Sequence, residues 1–300
     1  MLANMPRIPV GSFIEALVVF IQNSFAPLLD AVSKYVDMAL LNLEALLKFL
    51  PPVVLLAIIA LIAWRLANRG VAIFTGIGLF LIYNFGLWSS AMETLATVLV
   101  ATLLALVLAI PLGICTARSD LLHRVFRPVL DLMQTMPPFV YLIPAVFFFD
   151  VGRVPGVMAT VVFSMPPAIR LTNLGLRQVP VELIEAADAF GSTVRQKLFK
   201  VQLPVALPTI MAGINQCIML ALSMVVISAM IGGGGLGREV MRGITRLNIG
   251  LGAEAGLAVV IIAIILDRIT ESLGRGKKLI NWGVFISCCL GRQGCWQWCW

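Results

Sequence analysis

Side chains able to do acid–base, nucleophilic or metal chemistry are few and scattered in this chain. The single histidine, His123, sits in a basic stretch, TARSDLLHRVFRP. Glu93, Asp131, Asp150 and Asp267 each fall near the end of an apolar run. They form no intramembrane acid or histidine relay of the kind that proton-coupled carriers use. No Ser-His-Asp or Cys-His set can be assembled for nucleophilic catalysis. The glycine run IGGGGLG at 231–237 follows an apolar run rather than a strand, and no Lys-Ser or Lys-Thr comes after it. That excludes a phosphate-cradling loop, so the chain is not expected to bind ATP or any other cofactor itself. The run reads instead as a flexible turn or hinge. What remains is the chemistry of recognition and passage.

Residues 171–204 carry the most informative pattern. VELIEAADAF places Leu183, Ala186, Ala187 and Phe190 at helical spacing. Gly191 is a natural helix stop, and Ser192 or Thr193 a natural cap for a second helix. Leu198, Val201 and Leu203 supply its apolar positions, and Pro204 is expected to end the segment. A short helix pair between two apolar runs either docks in a groove on a soluble partner or folds back on the bundle.

Two Met-Pro-Pro triplets, Met136-Pro137-Pro138 and Met165-Pro166-Pro167, interrupt apolar runs. Proline removes an amide donor, and such breaks are tolerated at membrane depth where backbone meets protein or a watery cavity. Met136, Pro137, Pro138, Phe139, Tyr141, Pro144, Pro166 and Pro167 are therefore pathway or hinge candidates. Pro137 and Pro138 equally suit the start of a helix. Ser223, with Ser228, Asn215 and Gln216, gives residues 207–231 a polar stripe that faces a pathway or bonds neighbouring helices.

The elements that must position these residues follow from composition. The 300 residues are 60% hydrophobic and 12% charged, with a net charge of +7. A soluble domain of this size cannot hide so much apolar surface, and disorder requires the opposite composition. The chain is expected to be an all-α integral membrane protein, because backbone amides in hydrocarbon must be satisfied within each segment. Runs at 50–64, 71–88, 91–115, 129–150, 154–170, 207–231 and 253–270 give about seven spans. Residues 1–49 read as two amphipathic helices, 12–29 and 32–49, lying at the interface, with 12–29 as an extra span the alternative. No cleaved signal peptide is expected in MLANMPRIPVGSF.

Placing the 171–204 loop in the cytoplasm gathers most Lys and Arg inside, including Arg65, Arg69, Arg118, Arg124 and Arg127. The basic segment 238–246 then lies outside, against the trend. The basic balance reflects loops at a membrane rather than nucleic acid. Residues 273–300 form an expected cytoplasmic tail. Its end, SCCLGRQGCWQWCW, matches a metal site only loosely, and its tryptophans suit an interface or mark an atypical terminus.

In one further respect the loop is distinctive. Permeases of ATP-binding-cassette importers carry E-A-A-x3-G-x9-I-x-L-P in this position. This chain resembles them through Glu185, Ala186, Ala187, Gly191, Val201, Leu203 and Pro204, with valine for isoleucine. The segments DLMQTMPPFVYLIPAVFFF, VPGVMATVVFSMPPAIRLTNLGLRQVP and IILDRIT, within residues 90–272, are similar to glycine betaine/proline betaine (ProU-type) permeases. The resemblance implies a type I importer fold, with residues 50–88 as accessory spans and 89–272 as the permease core. It implies a loop that couples to a cytoplasmic ATPase subunit, an external substrate-binding protein and a second permease copy. The implied activity is import of a quaternary ammonium solute without a catalytic site in this chain. An amino-acid permease, for proline or methionine, and a stand-alone ion-coupled transporter are the rival readings.

Overall fold

Alanine-rich stretches explain how the central helices meet. The computed structural model describes residues 10–274. The chain forms α1 (Val10–Phe49), α2 (Pro52–Leu66), α3 (Arg69–Asn84), α4 (Trp88–Arg118), α5 (Asp120–Thr135) and α6 (Pro138–Phe149). Then come α7 (Arg153–Arg177), α8 (Val181–Ala189), α9 (Val194–Lys197), α10 (Leu203–Ser228), α11 (Gly235–Thr245) and α12 (Ile249–Gly274). Ala91, Ala96, Ala101, Ala105 and Ala109 of α4 are almost wholly buried. Small side chains let helix backbones approach closely where lipid offers no hydrophobic gain for association. A Cβ on Gly113 would stand 2.6 Å from Thr172 Cβ on α7. The core is thus α4, α7 and α10 in close contact, with α12 and α3 closing one flank.

Among the described residues, four helices are long and apolar enough to cross a membrane, and six spans result if each of two bent pairs counts as one. The seven expected runs therefore map unevenly. Residues 129–150 are not one straight span, because α5 and α6 meet at 102° across Met136-Pro137. The physical reason is the proline pair, which cannot continue the ladder of α5 and instead starts α6. Pro166 and Pro167, by contrast, lie buried inside an unbroken α7.

At the N-terminus α1 is two helices joined at a kink, but the break falls at Phe25, whose φ/ψ of −117°/15° leave the helical region, rather than between residues 29 and 32. Pro27 stands two residues on and accounts for the break. Val36 and Leu40 of α1 pack into the cluster formed by α4 and α7. Large apolar side chains remain exposed along α2, α3 and α4, as on Ile58, Leu61, Ile77, Phe80, Leu103 and Val107. Such a belt suits lipid. Residues 1–9, where no cleaved signal peptide is expected, and the Cys/Trp-rich tail from 275 lie outside the described residues.

Candidate functional site: a helical elbow and its opposite end

The elbow is a local invention of sequence before it is anything else. α8 ends in a Schellman motif, with Gly191 N–H donating to Asp188 O at 2.9 Å and Ser192 N–H to Ala187 O at 3.0 Å. Gly191 has φ +72°, a conformation that side chains with a Cβ rarely adopt, while space around it is open. Its glycine is required by backbone angle and not by packing. Thr193, not Ser192, caps α9 in a capping box with Gln196. Lys197 Nζ donates to both oxygens of Asp188, at 2.7 and 2.8 Å, and braces the two arms.

Pro204 does not end the segment, as the sequence had implied. Leu198–Gln202 form a π-helical turn, and Leu203 N–H reaches back to Leu198 O. The wider turn relieves the clash and missing donor that proline brings to a regular helix. As a result α9, this turn and α10 make one continuous 38-residue rod, Val194–Ile231. The second arm of the elbow is the end of a core span.

Burial divides the elbow in two. Ala187 and Leu198 are buried, and Leu198 packs with Leu176, Ala206 and Ile210. Arg118 donates to Val194 O at 3.4 Å and ties α4 to the same arm. Leu183, Ala186 and Phe190, expected on one helix face with Ala187, are exposed. Phe190 is 87% exposed, and Val181, Val194 and Phe199 are open as well. Of the motif residues, Glu185 and Gly191 are also exposed, whereas Val201, Leu203 and Pro204 are half-buried at the foot of the rod.

The proline and aromatic candidates do not form one site. Met136 and Pro137 make the break before α6, and Pro138 is its first residue. Tyr141 is buried, donates its hydroxyl to Met133 O and stacks edge-on against Phe163 at 5.7 Å. Phe139 is exposed. Met136 and Pro144 line a groove of about 720 Å³ against α1, with Val18, Val19 and Phe147. Ser223 is exposed on α10 and bonds only to Met219 O in its own helix, at 3.1 Å. Asn215 instead joins α10 to α12, donating to Asp267 Oδ1 and accepting from Thr270 Oγ1, both at 2.8 Å.

At the opposite end of the bundle the glycine run is not a loose hinge. A Cβ on Gly233 would stand 2.7 Å from Ser228 O, one on Gly234 1.7 Å from Glu93 Oε1, and one on Gly235 2.3 Å from Thr94 Oγ1. α4 crowds Gly234 and Gly235, Ser228 of α10 crowds Gly233, and Gly232 is set by its φ of +92°. Thr94 then accepts the amide of Leu236 at 2.8 Å, supplying the cap that α11 lacks in its own sequence. Two arginines of the basic segment 238–246 find carboxylate partners here. Arg238 pairs with Glu93 at 3.1 Å and Arg242 with Glu239 at 2.9 Å. Sequence reading placed Glu93 near a span end and left these arginines unexplained. The one available signal was the bulk-free run immediately before them.

With this geometry in place, likeness to other proteins is informative. Residues 109–278 match the family described as binding-protein-dependent transport system inner membrane component. The chain is 50% identical over 275 residues to the glycine betaine transport system permease protein OpuAB of Bacillus subtilis, covering 92% of this chain and 98% of that one. It is 49% identical to the glycine betaine/proline betaine transport system permease protein ProW of Escherichia coli, covering 90% and 77%. The likeness is thus broader than residues 90–272. Among solved structures, an inward-facing MetNI methionine ABC transporter matches with TM-score 0.57 at 22% identity, over 63% of this chain and 94% of that chain. That last match speaks to the fold, the type I importer arrangement, and to nothing more. An elbow rooted in a core span, on an all-helical bundle with these relatives, leads to one conclusion: the chain belongs to the family of binding-protein-dependent transport system inner membrane components.

Proposed function

We propose that this chain is the membrane permease of an ATP-driven importer of glycine betaine or a related quaternary ammonium solute. The names of its relatives support the solute class. The observation that carries the mechanism is the elbow, whose exposed apolar side chains lie on α8 and on the adjoining end of the rod Val194–Ile231. Leu183, Phe190 and Phe199 suit a groove on a separate ATPase subunit in the cytoplasm, and the Lys and Arg distribution supports that side for the loop. ATP binding and hydrolysis belong to that subunit. Glu185, Ala186, Ala187, Gly191, Val201, Leu203 and Pro204 form the coupling element. Closure of the ATPase pair carries α8 and α9 with it, and α10 moves because it is the same helix.

Two permease copies serve two ATPase subunits in this reading. The open face of α10, with Gln216 and Ser223, borders the passage between copies. The bend at Met136, Pro137 and Pro138 is a hinge, with Phe139 and Tyr141 beside it and Pro144, Pro166 and Pro167 as further elements of the pathway. An external binding protein delivers the solute, and the conduit holds it weakly enough to release it. The experiment is uptake of labelled glycine betaine into vesicles containing permease, ATPase and binding protein. ATP-dependent uptake that disappears with Gly191→Pro is expected. Uptake by this chain alone, driven by an ion gradient, would overturn the proposal.

A further inference from the structure

We infer that Glu93 is a positioning residue for transport: its buried carboxylate is the joint that holds the far ends of both spans leading from the elbow. The inference rests on the coupling role proposed above. α7 and α10 are the spans that the elbow connects. At the end remote from the elbow, α7 begins with Arg153, and α10 passes through the glycine run into α11, which carries Arg238. Glu93 Oε1 lies 2.9 Å from Arg153 Nη2, and Oε2 lies 3.1 Å from Arg238 Nη2. Glu93 itself belongs to α4 and is 4% exposed. Arg153 also reaches Glu44 of α1 at 2.7 Å, and Arg238 Nε stands 3.7 Å from Glu239.

One carboxylate therefore fixes the remote ends of both moving spans to a third helix. A carboxylate withdrawn from water needs a cation beside it, and Glu93 has two, one at the remote end of each moving span. The turn after α10 is seated on the carboxylate itself, since a Cβ on Gly234 would collide with Oε1. Motion that enters the rod at the elbow thus meets a fixed point at the other end. The two arms of the joint differ: Arg238 Nη2 donates to Glu93 Oε2 at 3.1 Å, whereas the Arg153 arm is held by charge. Arg238 Nε and Glu93 Oε1 are buried without an aligned hydrogen bond. Coulomb attraction depends on distance and only weakly on angle, so the Arg153 arm can pivot where the directed bond of the Arg238 arm resists.

The test uses the assembled importer in vesicles and reads glycine betaine taken up per ATP hydrolysed. Glu93→Gln keeps the shape and removes the charge. Its uptake per ATP is expected to fall at least fivefold while the ATPase subunit still co-purifies. Arg238→Gln, which leaves Glu93 paired with Arg153, is expected to shift the ratio in the same direction. The double variant is expected to be no worse than Glu93→Gln alone, because both act through one joint. Should Glu93→Gln fail to fold, Arg238→Gln decides. A folded variant with the parent's uptake per ATP overturns the inference, even if its thermal midpoint drops, because that pattern marks a role in stability only. Failure of the elbow reading looks different, since it leaves ATPase association intact when Phe190 is replaced by Asp.

Discussion

The two ends of the bundle are built on opposite principles. At the elbow, apolar side chains stand in the open and the charges are small and local. At the glycine run, the carboxylates of Glu93 and Glu239 are buried beside partly exposed arginines, and the backbone at Gly233, Gly234 and Gly235 is packed until no Cβ fits. An exposed Phe190 is stable only because something else covers it in the working assembly or because its helix is otherwise braced. A buried Glu93 is stable only because Arg153 and Arg238 come with it. One end is made to be gripped by another molecule, and the other to grip itself.

Substitutions that exchange these characters should sharpen the contrast. Gly235→Ala is expected to be the most damaging, because it combines a φ of +74° with a Cβ placed 2.3 Å from Thr94 Oγ1. A cost of about 3 kcal/mol is expected from strain and overpacking, read as loss of thermal stability of the purified chain in detergent. Phe190→Asp should do the reverse. Thermal stability stays as in the parent, and ATPase association weakens by about 2 kcal/mol, roughly thirtyfold, in a pull-down titration. Thr193→Ala removes the cap of α9 and is expected to cost about 1 kcal/mol locally, seen as faster amide exchange over 193–197. Lys197→Ala should matter least. Its partner Asp188 is half exposed, and a pair of that kind is worth about 0.5 kcal/mol.

The same contrast explains what could be read in the sequence. The elbow was legible because its devices are local. Gly191, the Thr193 cap and the spacing from Glu185 to Pro204 lie within a few turns of one another. Pro204 misled, because the π-helical turn that accommodates it has no signature of its own. The helical bundle was legible from apolar runs, although the sharp break at Met136-Pro137 was read as hinge or helix start rather than as the division of one span. The far end was not legible. Glu93 meets Arg238 across 145 residues, and nothing in either neighbourhood announces the other. Glycines there look like freedom when each is read alone. From Gly233 to Gly235 they are tightness, and only the approach of α4 and of Ser228 shows it. The kinked α1 falls between these cases: Pro27 was visible, but the packing of Val36 and Leu40 on α4 and α7 is a long-range fact.

The account depends above all on the elbow lying at the inner membrane face, where an ATPase can hold it. A single cysteine at Ala189, in a chain whose six native cysteines have been replaced, tests this directly with a membrane-impermeant thiol reagent. The prediction is no labelling in intact cells, full labelling in inside-out vesicles, and protection there when the ATPase subunit is bound. Labelling of intact cells would place the elbow outside and contradict the account.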